Sequence, residues 1–124
     1  MRSTAVSRMK DCLFCKIALG EIPCRKAYED DEVLAFHDIK PVAPVHILLI
    51  PKLHLASLEA AESIHVALLG KMLLLVPELA HEQGLKNGFR TAIHTGKEGG
   101  QIIFHLHIHI VGGNTGRDPV TQLT

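Results

Sequence analysis

The chain has 124 residues, 47% of them hydrophobic, with 13 basic and 13 acidic side chains and a formal net charge of zero. That length argues for one compact domain, and the hydrophobic content excludes a disordered chain. The charge balance provides no sequence-independent grip on nucleic acid phosphates and little electrostatic opposition to self-association.

Residues 1–11 read as a flexible leader without the apolar stretch of a signal peptide, and 12–124 as the single domain. Cys12 to Leu19 is a short helix of one or two turns, stopped by Gly20 and Pro23. Arg25 to Glu29 reads as a strand, Asp30-Asp31 as a turn and Val33 to His37 as the next strand. Pro41 and Pro44 mark an irregular connection. His46 to Ile50 is a nearly continuous apolar run of strand length, ending at Pro51. Glu62 to Gln83 is the one long helix, with Ile64, Ala67, Leu68, Met72, Leu75 and Leu79 near one stripe. Gly84 marks its C-terminal stop, and Pro77 is expected to kink or split it. The longest apolar run, Val66 to Pro77, is broken by Lys71 and is too short to span a bilayer. Gly88 to His94 is a strand, Thr95 to Gln101 a glycine-rich turn and Ile102 to Val111 the last strand. Strands flanking one main helix predict an α+β domain with an antiparallel sheet. A cytoplasmic location and no membrane contact are the expectation.

Nine histidines are the unusual feature of the composition. In Phe104-His105-Leu106-His107-Ile108-His109-Ile110 they alternate with apolar residues, so on a strand His105, His107 and His109 share one face. Phe104, Leu106, Ile108 and Ile110 are then expected in the core. On a regular strand the outer two imidazoles stand roughly 13 Å apart, too far for one metal ion to bind all three. Separate roles as nucleophile, proton donor and positioning group use the row better, because imidazole attacks phosphorus and carries protons at neutral pH. A solvated strand face and a metal site using two of the three are the alternatives. Gly96, Gly99 and Gly100 just upstream allow backbone N–H groups to approach an anion.

HLHIHIV resembles the histidine triad signature. FHDIKPVAPVHILLIPKLH, from Phe36 to His54, and GKEGGQIIFHLHIHIVGG, from Gly96 to Gly113, resemble the branch of that superfamily made of nucleotide-binding phosphoramidases. LFCKIALGEIP and YEDDEVLAFHD are similar to it too, so the resemblance covers Cys12 to Gly113. It implies a five-stranded antiparallel sheet with one long helix and a short N-terminal one, paired into a homodimer across the long helix and a strand. It implies that His107 attacks the α-phosphorus of a purine nucleoside 5′-phosphoramidate and forms a nucleotidyl-histidine, which water hydrolyses to the monophosphate. His109 then contacts the phosphate and leaving group, His46 supports the nucleophile, and His105 holds the strand and orients its neighbour. Phe14, Ile17, Phe36 and Ile39 match the walls around the base, and Asp38 the carboxylate on the ribose hydroxyls. His94, Gly100, Gln101 and Ile102 fall at the phosphate end. Two of these depart from the pattern: His94 stands where the family commonly has Asn, and Ile102 where some members have Ser. Isoleucine offers no hydroxyl to the phosphate, whereas His94 can still donate a hydrogen bond. No cofactor is implied for the catalysis. A nucleotide-binding interaction protein with incidental hydrolysis and a dinucleoside polyphosphate hydrolase are the alternative functions.

Cys12 and Cys15 form a C-x2-C pair, half of a tetrahedral zinc site; two small residues packing a short helix are the other reading. In some bacterial relatives such a pair is completed by the positions matching His54 and His105. That set would close the coordination shell, making the zinc structural. No H-E-x-x-H pattern of a zinc hydrolase occurs.

Overall fold

The computed structural model describes residues 11–113. The rest of the expected leader and the tail after Gly113 lie outside the described residues. Helix α1 spans Leu13–Ala18, with Cys12 as its N-cap: the Cys12 sulfur accepts the Cys15 backbone N–H at 3.3 Å. Gly20, at φ +82°, turns the chain out of the helix, a conformation that costs glycine nothing. Strands β1 (Lys26–Glu29), β2 (Val33–His37) and β3 (Val45–Pro51) follow. Helix α2 spans Val66–Glu82 behind a short 3-10 turn at Ser63–His65, and β4 (Arg90–Ala92) and β5 (Ile108–Gly112) complete the chain. All five strands form one antiparallel sheet in the order β1-β2-β3-β5-β4.

Strand period two sorts the side chains onto two faces. Val33, Ala35, Ile47, Leu49, Ile108 and Ile110 point to α2 and join Met72, Leu75, Val76, Leu79 and Ala80 in the larger core. Leu34, Phe36, Leu48 and Ile50 point the other way and pack with Phe14 and Ile17 of α1. Both faces are therefore covered, which is why β2 and β3 read as apolar runs rather than as alternations.

Several expectations need correction. The α2 stripe is shifted: Ile64 and Ala67 are exposed, while Val76 and Ala80 join Met72, Leu75 and Leu79 in the core. Pro77 does not split the helix; it lacks an N–H to donate, but packing on the sheet holds the turn. The helical segment Ser63–Glu82 is also longer than the apolar run. With 20 residues and mean hydropathy 1.5 it is long and apolar enough to cross a membrane, yet one of its stripes is the core of this domain. β4 is confined to Arg90–Ala92 within the expected 88–94.

The largest difference concerns the last strand. It covers Ile108–Gly112, not 102–111, so only His109 of the three alternating histidines lies in regular strand. Pairing with β3 runs from Val45↔Gly112 to Leu49↔Ile108. Two positions further, the register would set Leu106 against Pro51, which has no N–H to offer. Leu106 instead donates its N–H to the Leu55 carbonyl at 2.7 Å. Phe104, upstream of that divergence, is 47% exposed rather than in the core.

A cluster of charges ties α2 to the β1–β2 turn. Lys71 Nζ lies 2.8 Å from both Asp30 and Glu32, and Asp30 also accepts the Glu32 and Val33 N–H groups and the Tyr28 hydroxyl. Burial opposes ionisation of Asp30, but the Lys71 ammonium and these donors outweigh it and hold the carboxyl well below the usual carboxylate range. Its contribution is thus present above the unfolded value near 3.9 and is lost as pH falls below it. Asp30→Ala should lower the unfolding free energy by about 1–2 kcal/mol at neutral pH. In urea titrations the gap to wild type should narrow progressively below about pH 4; a gap independent of pH would contradict this account.

Candidate active site and metal cluster

His105, His107 and His109 are 0%, 4% and 0% exposed, so the imidazoles are not displayed on an open face. They lie on the α1 side of the sheet, with Leu106, Ile108 and Ile110 on the α2 side, so the alternation survives the late start of β5. The Phe14 ring stands edge-on to both His105 and His107, at centroid distances of 5.9 and 5.1 Å. His107 and His109 are in turn edge-on at 5.0 Å.

Burying an imidazole is costly unless its N–H finds an acceptor. The partners found here also fix the tautomers, because a carbonyl only accepts and a backbone N–H only donates. His105 Nε2 lies 2.7 Å from the Pro51 carbonyl, so Nε2 carries the proton and the lone pair is on Nδ1. His107 is the reverse. Its Nδ1 lies 2.7 Å from the His105 carbonyl and donates, which places the lone pair on Nε2. His46 Nδ1 accepts the Val42 N–H at 3.2 Å, so His46 Nε2 holds its proton. That proton points at His109 Nδ1, 2.9 Å away, with Asp38 Oδ2 at 3.4 Å. His109 Nδ1 therefore accepts, and the His109 proton sits on Nε2. These assignments need neutral rings. Burial lowers the His46 pKa, against the Asp38 carboxylate and with help from His107. Burial pushes His105 down to about 4, against the Pro51 hydrogen bond and reinforced by His54 and His107.

The expected nucleotide-binding residues fall into two groups. Phe14 and Phe36 are buried and edge-on to each other at 5.6 Å, with Ile17 in the same cluster. Asp38 lies beside His46, its other oxygen taking the Lys40 N–H at 2.9 Å. His94 lies 5.3 Å from the His109 ring, and its Nδ1 is the buried side-chain polar atom without a hydrogen-bond partner among the described residues. Gly100 passes close by, since a Cβ there would stand 3.6 Å from that nitrogen. Ile39, by contrast, is 90% exposed and walls nothing in this conformation, and Ile102 is also exposed. Gln101 is buried, but its amide braces the loop: Nε2 donates to the Ala56 and Ile103 carbonyls, and Oε1 accepts from Gly96 N–H. Backbone groups of Pro51, Val42 and His105 set the site's tautomers, and no side-chain pattern could have pointed to them.

A second cluster lies alongside. Cys12, Cys15, His54 and His105 place one potential ligand atom each within 4.8 Å of one another. Cys15 Sγ stands 3.2 Å from His54 Nδ1 and 3.6 Å from His105 Nδ1, and Cys12 Sγ stands 3.4 Å from His105 Nδ1. Zinc bonds of about 2.3 Å to sulfur and 2.0–2.1 Å to nitrogen put S and N ligands of a tetrahedron roughly 3.5 Å apart. The four residues thus fit a zinc ion. The Pro51 hydrogen bond turns the His105 lone pair toward the two sulfurs, as an outer partner of a metal-ligating histidine does. Burial lowers the His54 pKa as well, keeping that ring able to ligate. A cleft of about 520 Å³ borders this cluster at Cys12 and His54, walled by Leu13, Ile102, Ile103 and Phe104.

The sequence model of the HIT domain matches residues 19–116, most of the chain. The chain belongs to the HIT family. It is 59% identical over 104 residues to protein HitA of Neisseria gonorrhoeae, covering 84% of this chain and 97% of that one. It is 48% identical over 105 residues to the 14 kDa zinc-binding protein of Brassica juncea, covering 83% and 93% of the two. A HIT family hydrolase from Legionella pneumophila superposes with a TM-score of 0.83 at 42% identity, over 88% of this chain and 98% of that one. A zinc-bound histidine triad protein from Mycobacterium smegmatis superposes at 0.74 and 35%, over 89% and 84%. The five-stranded sheet and long helix are therefore the HIT fold, and HIT hydrolases are among its structural neighbours.

The tautomers are open to direct measurement. Two-bond 1H–15N correlation spectra at pH 7.5 should show His107 as the Nδ1–H form and His46, His105 and His109 as Nε2–H forms. An Nε2–H form at His107 would overturn the assignment drawn from its contact with the His105 carbonyl.

Proposed function

We propose that this protein is a purine nucleoside phosphoramidase in which His107 Nε2 attacks the α-phosphorus of a nucleoside 5′-phosphoramidate. The observation that carries this reading is the His107 Nδ1–H bond to the His105 carbonyl. It aims a lone pair on Nε2 and supports the positive ring that forms as the N–P bond is made. The His109 Nε2–H then gives its proton to the departing amine, the His46 Nε2–H steadies the deprotonated ring through its bond to His109 Nδ1, and the water of the second step returns a proton to His109. The P–N bond breaks, the nucleotide remains on His107, and water attacking the same phosphorus releases the monophosphate and regenerates the imidazole. His94, beside His109, serves the leaving-group side. Phe14, Ile17 and Phe36 hold the base, and Asp38 exchanges its contact with His46 for the ribose hydroxyls.

The metal cluster supplies no step. Four protein ligands close the shell of a zinc ion, so its role there is to hold α1 against the chain around His54 and His105. Replacing His107 by Ala should reduce kcat on adenosine 5′-monophosphoramidate by at least about 10⁴-fold. Calorimetry should still record binding of adenosine monophosphate. Turnover that survives the substitution would overturn the assignment of the nucleophile.

A homodimer is the assembly this reading implies. Ile64, Val66, Leu73 and Leu74 are 79%, 67%, 53% and 73% exposed. The last three lie at helical spacing on the side of α2 turned away from the sheet, with Gly70 between them. Such an apolar stripe is a normal interface and an unusual free surface, and zero net charge adds no repulsion. Leu74→Lys should convert the sedimenting species from dimer to monomer while leaving the helical circular dichroism intact. An unchanged sedimentation coefficient would move the interface elsewhere.

A further inference from the structure

The metal cluster and the histidine row share residues. His105 belongs to both: its Nδ1 faces the sulfurs of Cys12 and Cys15, while its backbone carbonyl accepts the proton of His107 Nδ1. Phe14 lies between the two cysteines in sequence and packs edge-on against the rings of both His105 and His107. Anything that fixes α1 and His105 thus fixes the orientation of the nucleophile and the wall beside it.

We infer that metal binding at Cys12, Cys15, His54 and His105 and nucleotide binding at His107 are thermodynamically linked through His105 and Phe14, so that each tightens the other. The inference rests on the proposed nucleotide site. Electrostatics does not carry the coupling. A divalent ion with two thiolates and two neutral imidazoles sums to zero charge, and a neutral group exerts little pull on a phosphate. The coupling is positional. Without a metal, only weak sulfur–imidazole interactions would hold α1 to His54 and His105. With a metal, those contacts become coordinate bonds, and the ordering that a nucleotide would otherwise impose on Phe14 and His105 is already in place. Reciprocity is then a thermodynamic requirement.

The test uses cobalt as probe, because its visible bands report a site of two thiolates and two imidazoles directly. Adenosine monophosphate should bind the metal-loaded chain about tenfold more tightly than the chelator-stripped chain, within the usual range of coupling energies. Saturating adenosine monophosphate should tighten cobalt binding by the same factor. Phe14→Leu should still take up cobalt but bring the two nucleotide affinities together. Equal nucleotide affinity in loaded and stripped protein, with cobalt affinity indifferent to nucleotide, overturns the inference. Should the stripped chain unfold, the loaded chain alone decides. Its cobalt bands shift on adding adenosine monophosphate if the two sites are linked, and static bands during confirmed nucleotide binding overturn the link. Failure of the loaded wild-type chain to bind adenosine monophosphate at all overturns the nucleotide reading itself, and the linkage with it.

Discussion

The hydrogen bond from His107 Nδ1 to the His105 carbonyl organises this molecule. An imidazole that is 4% exposed must satisfy its N–H, and the acceptor it finds is the backbone two residues upstream. That choice decides which nitrogen holds the lone pair, and so which atom can act as nucleophile. The irregular path of residues 102–107 is a condition for it. The chain leaves the ladder near Pro51, and the freed Pro51 carbonyl accepts a hydrogen bond from the His105 Nε2–H.

A chain of one-directional partners then extends across the sheet. A donor at Val42 fixes His46, and His46 fixes His109. No buried side chain needs to titrate for these rings to be set, because backbone groups cannot change their donor or acceptor character. The low pKa that burial imposes on His105 and His46 keeps both rings neutral and their tautomers unambiguous. The same burial that makes the row costly therefore makes it specific.

The fold supplies two covers for one sheet. α2 packs its Met72–Leu79 stripe on one face, leaving Val66, Leu73 and Leu74 outward. α1, only six residues long, covers the other face with Phe14 and Ile17 and carries Cys15, with Cys12 at its N-cap. So short a helix is marginal alone. On binding a metal, Cys12, Cys15, His54 and His105 would anchor it to the segment after β3 and the approach to β5.

The sequence by itself determined the α+β class, strand β2 to the residue, most of β3, the two helices and the alternation that separates His105, His107 and His109 from Leu106, Ile108 and Ile110. Period two and helical spacing are local properties, legible without partners. C-x2-C spacing pointed to Cys12 and Cys15 as half of a possible metal site, while His54 and His105 came from family likeness. Only the tertiary structure decided that β5 begins at Ile108, that Ile64 and Phe104 lie outside the core, that Ile39 points to solvent and that the amide of Gln101 braces a loop. It also decided the tautomers, because these depend on carbonyls and N–H groups that every residue carries alike. A sequence records side chains; which backbone group lies 2.7 Å from a ring nitrogen is settled only when distant segments meet.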